Sequence, residues 1–161
     1  MIASIEKTET GYTARFDRHY TFSVTEVWSW LTENDKLSQW FPELRVKDLR
    51  EGGSLIFDMP SGTAITMEIT DFTPHAVLEF TWGADLVRFE LSPEPQGCHL
   101  VLIEKLVKIT GHTAKDLAGW HVCLEVIASL LEDNPLQSRD EVWKKWYAEY
   151  ERLLQLYVTA D

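Results

Sequence analysis

Alternating hydrophobic and polar positions run through much of the chain and predict antiparallel β-strands. The alternation covers residues 12–22, and it returns from about residue 44 to about residue 106 in short segments separated by turn residues. A period of two places every second side chain on the same face of a strand, so one face of each segment is hydrophobic. The segments predict a consecutive meander of about seven strands. The predicted turns are Gly52-Gly53, Pro60–Gly62, Thr73–His75, Gly83–Asp85 and Pro93–Gly97.

Two short helices are predicted between the first strand and the rest of the meander. Ser23 is a suitable N-cap residue, and hydrophobic residues follow it at helical spacing as far as Leu31. A second helix is predicted over about residues 35–40. It ends at Phe41-Pro42, because a proline cannot continue a helix.

The last third of the chain changes to a helical period. Thr113 or Asp116 can cap a long helix that runs to about residue 133, and Ser138 and Glu141 have the spacing of a capping box for a final helix. The order of elements predicts an α+β fold with its helices at one end of the sheet. The apolar stripe of the long helix consists of Leu117, Trp120, Leu124, Ile127 and Leu131.

The composition narrows the class of protein. The 161 residues include 15 basic and 26 acidic side chains, which gives a formal net charge of −11. A chain of this length forms one core, so we expect a single domain over residues 1–161. The negative charge argues against nucleic acid or an anionic membrane as a partner. No apolar stretch is long enough for a membrane span or a signal peptide, so we expect a cytoplasmic protein.

The sequence offers no spacing that is typical of a metal, nucleotide or nucleophile site. Its five histidines are scattered, without the short spacings of zinc ligands. Gly52-Gly53 fits a hairpin turn rather than a phosphate-binding loop, and Cys98 and Cys123 fit two reduced, partly buried thiols. We therefore expect no metal and no cofactor. We assign no catalytic residue and leave enzymatic activity open.

Aromatic residues are unusually frequent, with seven Trp, five Tyr and seven Phe. The alternation places many of them on the inner face of the predicted sheet, where they fill a core or line a cavity. For a single residue a core position is the simpler interpretation, whereas the set as a whole predicts a site for an apolar ligand. The candidate ligand-binding residues are Trp40, Phe57, Met59, Met67, Phe80, Trp82, Phe89, Glu104, Trp120 and Leu124.

Glu104 is the polar member of this set. It follows the same alternation as Leu100 and Leu102, so its side chain is predicted to face the inside of the sheet. A carboxyl group in an apolar cavity has a raised pKa and can act as a general acid or base. The alternative is that Glu104 lies near the end of its strand, where it is solvated or paired.

Five segments of the chain resemble bacterial proteins similar to the activator of the 90-kDa heat-shock protein ATPase. They correspond to the family's first helices, its Gly-Gly hairpin, two of its strands and its Gly-Trp helix, and they occur in the family's order over about residues 12–132. In chain order they are VTEVWSWLTENDKLSQWF, DLREGGSLIFDM, TPHAVLEFTW, GCHLVLIEK and LAGWHVCLEVIASLL.

The resemblance implies a START and birch-pollen-allergen-like domain with the helix-grip fold. In that fold a curved antiparallel sheet wraps around a long C-terminal helix and encloses an apolar cavity. The core would cover about residues 12–132, and about residues 134–161 would form an extra C-terminal helical extension. Its stripe of Trp143, Trp146 and Tyr150 is expected to pack against the fold, with a homodimer contact as the alternative.

The leading functional hypothesis is a non-enzymatic protein that binds a small apolar or aromatic molecule between sheet and helix. One alternative is a co-chaperone-like module that acts on a chaperone ATPase. A further alternative is an enzyme similar to polyketide cyclases or dehydratases, which would need a polar pair in the cavity. Nucleotides and other highly charged metabolites are not expected to bind, because no cationic cluster is predicted inside the cavity.

Overall fold

The computed structural model describes residues 1–158. These residues form one antiparallel sheet of eight strands together with four helices. The strands lie in the order β1-β2-β8-β7-β6-β5-β4-β3, so β2 closes the long meander by pairing with the last strand. The elements are β1 (Ser4–Lys7), β2 (Tyr12–Tyr20), α1 (Val24–Thr32), α2 (Asn34–Trp40), β3 (Leu44–Asp48), β4 (Ser54–Asp58), β5 (Ala64–Thr73), β6 (Val77–Trp82), β7 (Asp85–Glu94), β8 (Gly97–Leu106), α3 (Thr113–Leu131) and α4 (Arg139–Val158).

The hydrophobic alternation of the sequence matches the observed faces of the central strands. Leu100, Leu102 and Glu104 of β8 have 0% exposed surface. In the neighbouring strand Phe89 lies opposite Leu102, and Val87 lies opposite Glu104. These side chains share the inner face of the sheet, which confirms the predicted direction of Glu104.

β1 adds an eighth strand to the seven that the alternation predicts. Three of its four side chains are exposed, so its sequence carries no hydrophobic alternation. It pairs with the edge of β2, with Ile5 opposite Ala14. The Tyr157 hydroxyl of α4 donates a hydrogen bond to the Ile5 carbonyl at 3.0 Å. The strand is therefore held by tertiary contacts, which a local sequence pattern does not contain.

The two short helices between β2 and β3 form as predicted. Ser23 caps α1, and its Oγ accepts a hydrogen bond from the Glu26 backbone N–H at 3.1 Å. α2 ends at Trp40, and the indole N–H of Trp40 donates to the Trp30 carbonyl at 2.8 Å. Trp40 is thereby fixed in the core, where it is 1% exposed.

α3 lies on the inner face of the sheet, as the fold prediction requires. Twelve of its 19 residues are buried, which shows that the helix is covered on more than one side. Its Trp120 ring lies 6.1 Å from the Phe89 ring of β7, and its Leu124 carbonyl accepts a hydrogen bond from the Tyr20 hydroxyl at 3.3 Å. Within residues 1–158, no helix has both the length and the apolar character to cross a membrane.

α4 packs against α3 and reaches the N-terminal strands. The Tyr150 hydroxyl accepts a hydrogen bond from the Ala3 backbone N–H at 3.0 Å and bonds to His121 Nδ1 at 2.7 Å. Trp146 stacks on the His121 ring with centroids 3.8 Å apart. Tyr150 is fully buried, as the packing interpretation of the aromatic stripe predicts. The start of α4 differs from the predicted capping box, because Ser138 has a left-handed φ of 56° rather than the extended backbone of an N-cap.

His121 is held neutral by this packing. Burial is the largest cause that lowers its pKa, to about 3, and the positive charges of Arg18, the N-terminal amino group and Lys145 act in the same direction. A neutral imidazole can take part in the bond to Tyr150 without a charge in the core. The network therefore ties β1, α3 and α4 together at neutral pH.

Replacing Tyr150 by Phe is expected to lower the free energy of unfolding by about 1–3 kcal/mol, because the buried Ala3 N–H and the His121 ring lose a hydrogen-bond partner. Urea denaturation of the variant measures the loss. Tyr147→Phe, on the same helix and only half-buried, is the control and is expected to change stability by less than about 0.5 kcal/mol. Equal effects of the two substitutions would contradict the assigned role of the network.

Candidate functional site

Four aromatic rings meet where the end of the sheet approaches α3. Trp82 ends β6, Phe57 lies in β4, Phe41 follows α2, and Trp120 comes from α3. The Trp82 and Trp120 ring centroids lie 5.1 Å apart, and Phe41 lies 6.0 Å from Trp82 and 5.8 Å from Trp120. The rings meet edge to face or at a tilt, which is the favourable arrangement of aromatic quadrupoles. Four separate elements therefore contribute to one aromatic wall.

This wall borders a cleft of about 280 Å³, which we call the α3 cleft. Aromatic rings and charged side chains both contribute to its lining. A smaller apolar pocket of about 180 Å³ is also lined by Trp82, together with residues of β4 and β5. The α3 cleft is lined by Phe41, Glu43, Trp82, His112, Lys115, Asp116, Gly119, Trp120, Cys123 and Arg139.

The predicted ligand-binding residues divide into three groups. Trp82 and Trp120 line the α3 cleft. Phe57 and Met67 line the smaller apolar pocket together with Trp82. The others, except Met59, are buried behind these walls: the Phe80 ring lies 6.4 Å from Trp82, and Phe89 lies 6.1 Å from Trp120. The fully buried residues of the predicted set are Trp40, Phe80, Phe89, Glu104 and Leu124.

Met59 does not belong to this site. The sequence places it on the same face as Phe57, but β4 ends at Asp58, and Met59 is 38% exposed. The backbone turns after Asp58, where the Met59 N–H bonds to the Thr63 carbonyl at 2.8 Å. A period-two pattern does not mark where a strand stops, and the structure therefore places Met59 past the end of β4 and apart from the other predicted residues.

Glu104 lies behind the aromatic wall, fully buried on the inner face of β8. Among residues 1–158, neither of its carboxyl oxygens has a hydrogen-bond partner. Burial is the main cause that raises its pKa far above the usual value for Glu, and the neighbouring carboxyl groups of Asp116 and Asp85 raise it further. Glu104 is therefore a neutral carboxylic acid at physiological pH.

Asp116 connects this buried acid to the α3 cleft. It lies in the first turn of α3, one helical turn before Trp120, so both side chains point to the same side of the helix. The indole N–H of Trp82 donates a hydrogen bond to Asp116 Oδ1 at 3.1 Å. The sequence pattern indicates Asp116 only as a candidate helix cap. Its i, i+4 relation to Trp120 is the signal that could have placed it in the site.

The lining of the α3 cleft includes charged side chains of both signs. Lys115 and Arg139 are positive, and Glu43 and Asp116 are negative, so the cleft holds no excess of cations. The Arg139 guanidinium donates to the Trp40 carbonyl at 3.1 Å, which anchors the start of α4 against α2. These charged residues come from segments far apart in the chain, so the sequence pattern does not bring them together. The expectation that the cavity has no cationic cluster stays a prediction.

Neither a thiol nor a metal centre accounts for the site. Cys123 lines the cleft, but burial raises the pKa of its thiol to about 12, with the Arg139 charge acting in the opposite direction. The thiol therefore stays protonated and is a poor nucleophile. In the part of the chain that the structure describes, no three His, Cys, Asp or Glu side chains are grouped so that they could hold a metal ion.

The architecture defines the class of protein. An open, curved antiparallel sheet that holds a long C-terminal helix on its inner face is the helix-grip fold. The chain belongs to the family described as "Activator of Hsp90 ATPase homolog 1-like protein", whose model matches residues 21–132. The match begins just before α1 and ends after α3, so it includes every element that contributes to the aromatic wall. It confirms the resemblance seen in the sequence.

Solved structures share this fold. EF2215 from Enterococcus faecalis, a conserved protein of unknown function, is 27% identical and has a TM-score of 0.79 over 94% of this chain and 91% of that chain. CalU16 from Micromonospora echinospora is 21% identical, with a TM-score of 0.73 over 94% and 95% of the two chains. An AHSA1-like protein from Aeromonas hydrophila is 20% identical, with a TM-score of 0.62 over 75% and 92%. No curated protein matches the sequence.

Replacing Glu104 by Gln is expected to stabilise the protein above pH 4.5, with an advantage that grows as the pH rises. The folded state favours protonated Glu104, and this preference stabilises the fold fully below pH 4.5, the pKa of Glu in the unfolded chain. The stabilisation is lost as the pH rises from 4.5 toward the higher pKa that Glu104 has in the folded state. Gln does not titrate and escapes the loss. We expect a gain of about 1–3 kcal/mol at pH 8 and almost none at pH 4.5, measured by urea denaturation.

Glu79→Gln is the matched control, because Glu79 is also buried, on the other face of the sheet. Burial alone would raise the pKa of Glu79, but hydrogen bonds from Lys105, Thr70 and Arg88 lower it overall. Its stability contribution is therefore present above the unfolded pKa of 4.5 and is lost as the pH falls. This substitution should destabilise the protein at pH 8. An effect of Glu104→Gln that is independent of pH would contradict a protonated Glu104.

Proposed function

We propose that this protein binds a small, largely apolar molecule with one or two rings in the α3 cleft. The observation that carries the proposal is the cleft itself, an opening of about 280 Å³ bordered by Phe41, Trp82 and Trp120. Ligand sites are concave, mostly apolar and lined by a few polar groups. The α3 cleft combines aromatic rings with several charged side chains, so it offers both an apolar wall and polar partners to a ligand.

The size of the cleft limits the size of the ligand. Ligand sites usually have volumes of about 300–1,000 Å³, so a cleft of about 280 Å³ fits a fragment rather than a long chain. Apolar area that the ligand buries against the rings contributes about 25 cal/mol for each Å². The rings are held in place by contacts with Phe57, Phe80 and Phe89, so binding does not require a large loss of side-chain entropy.

The position of the cleft also supports binding. Trp82 lies between the α3 cleft and the smaller pocket beside Phe57 and Met67, so one indole ring is a wall of both openings. Its N–H bond to Asp116 fixes the orientation of the ring. A ligand in the α3 cleft would contact Trp82 directly, and its binding would therefore change the tryptophan fluorescence.

Gly119→Met tests the proposal by filling the cleft. Gly119 lines the α3 cleft in the middle of α3, and a Cβ added there would meet no heavy atom within 4 Å. Methionine also favours helix over glycine by about 0.5–1 kcal/mol, so the variant should fold well. We expect isothermal titration calorimetry to show saturable binding of indole or 2-methoxynaphthalene to the wild type, and we expect Gly119→Met to bind them at least about tenfold more weakly.

Gly119→Ala is the control, because one methyl group leaves most of the cleft open. It should bind both probes as the wild type does and should raise the free energy of unfolding by about 0.5–1 kcal/mol. Unchanged binding in Gly119→Met would place the probes elsewhere and contradict the proposal. A function on a chaperone ATPase, which the family description suggests, would use an outer surface instead. ATPase stimulation that survives Gly119→Met would favour that function.

A further inference from the structure

The sheet is open, and β3 forms one of its two outer edges. β3 pairs with β4 on one side, and within residues 1–158 no strand lies on its other side. The backbone N–H and C=O groups along such an edge can pair with a strand of another molecule. An edge of this kind therefore leads to association unless the fold protects it.

The side chain of Asn34 occupies the β3 edge at Val46. The Val46 N–H donates a hydrogen bond to Asn34 Oδ1 at 2.7 Å, and Asn34 Nδ2 donates to the Val46 carbonyl at 3.0 Å. In an antiparallel sheet, two residues of a hydrogen-bonded pair exchange the same two bonds, one from the N–H and one to the C=O. The carboxamide of Asn34 thus makes at Val46 both bonds that a residue of a neighbouring strand would make.

The position of this carboxamide is set by α2. Asn34 is the first residue of the helix, and the buried side chains of Leu37 and Trp40 hold the helix against the core. Asn34 itself is exposed, and its two side-chain bonds go to β3 rather than to the backbone of its own helix. The fold therefore places a strand-like pairing group beside the edge.

The neighbouring N–H group of the same edge also has a partner. Alternate residues of a strand direct their backbone groups to the same side, so the N–H of Leu44 points away from β4, as that of Val46 does. It donates to the Phe41 carbonyl at 3.1 Å, in the turn between α2 and β3. Two successive donors of the edge are thus bonded to groups that are not part of a strand.

The charges of β3 add a second protection against another copy of the same strand. If two β3 edges paired antiparallel around Val46, Arg45 of each copy would lie opposite Lys47 of the other. Like charges that lie directly opposite each other destabilise a strand pair. Arg45 is already paired with Asp58 of β4 at 2.7 Å, so a new partner would have to compete with that carboxylate.

We propose that Asn34 is an edge-blocking residue, whose carboxamide prevents β3 from pairing with β3 of a second copy of this chain, and that Lys47 reinforces the block by charge repulsion. The surface that the block protects is the outer edge of β3, centred on Val46. The inference does not depend on the function of the α3 cleft, which lies elsewhere on the fold.

A double variant, Asn34→Ala with Lys47→Glu, tests the block. It removes the carboxamide and places a negative side chain opposite Arg45 of the second copy. Alanine favours helix, so α2 should still form. We expect the double variant to dimerise at least about tenfold more tightly than the wild type, measured by sedimentation equilibrium. A double variant that has the native circular dichroism spectrum and stays as monomeric as the wild type would overturn the proposal.

Lys47→Glu alone is the matched control, because it makes the same change of charge while the carboxamide stays in place. It should sediment as the wild type does. Dimerisation of this single variant as strong as that of the double variant would contradict the role of Asn34.

A proline at position 46 shows whether the dimer uses the β3 edge. The Val46 N–H points away from β4, so Val46→Pro removes a donor of the edge without removing a bond to β4. Added to the double variant, it should return the protein to a monomer. A dimer that persists would lie on another surface and would contradict the proposal.

Hydrogen exchange of the Val46 amide gives a measurement that does not require association. In dilute solution, the Val46 N–H should exchange at least about tenfold faster in Asn34→Ala than in the wild type, because it loses its acceptor. Amides of β8, in the middle of the sheet, should exchange at the wild-type rate, which distinguishes a local opening from a loss of global stability. Equal exchange of Val46 in the two proteins would show that Asn34 does not protect the edge.

Discussion

Burial of α3 between the sheet and α4 is the constraint on which the rest of the structure depends. The helix contacts the sheet through Trp120 and Leu124, and it contacts α4 through His121, on which Trp146 stacks. The rotation of α3 about its axis and its position along the sheet are fixed from both sides, because a shift would separate closely packed rings. Asp116 and Gly119 take their positions in the cleft from this placement. The site is thus a consequence of how one helix is packed.

Two buried titratable groups, His121 of α3 and Glu104 of β8, differ in how the fold treats them. His121 is neutral and bonded to Tyr150, so its polarity is used to join α3 and α4. Glu104 lies on the sheet near the other end of the helix and, in the described chain, has no such bond. A sequence under selection for stability alone would place an apolar residue there. At Glu104 an ionisable residue occupies a buried position where the fold favours an apolar one, and such mismatches are expected at functional sites.

Much of the fold could be predicted because the sheet has one buried face. The alternation around Phe89 and Leu102 and the helical stripe through Trp120 follow directly from burial. β1 has no hydrophobic alternation, because most of its residues are exposed. It is held in part by a hydrogen bond from Tyr157, near the other end of the chain, which a local pattern does not contain. The site was harder to predict, because Asp116, Gly119 and Arg139 have ordinary local explanations as cap, helix interior and helix start. Only the tertiary packing brings them to one cleft.

The same packing explains why the cleft opens on one face of α3. The face that carries His121 is covered by α4, where Tyr150 is fully buried against His121. Asp116 and Gly119 lie one helical turn apart on another face of the helix, and both line the cleft. On that side α4 contributes its first residue, Arg139, to the lining. One face of α3 is therefore used for packing and another for the cleft, so a single buried helix can hold the fold together and still form a site.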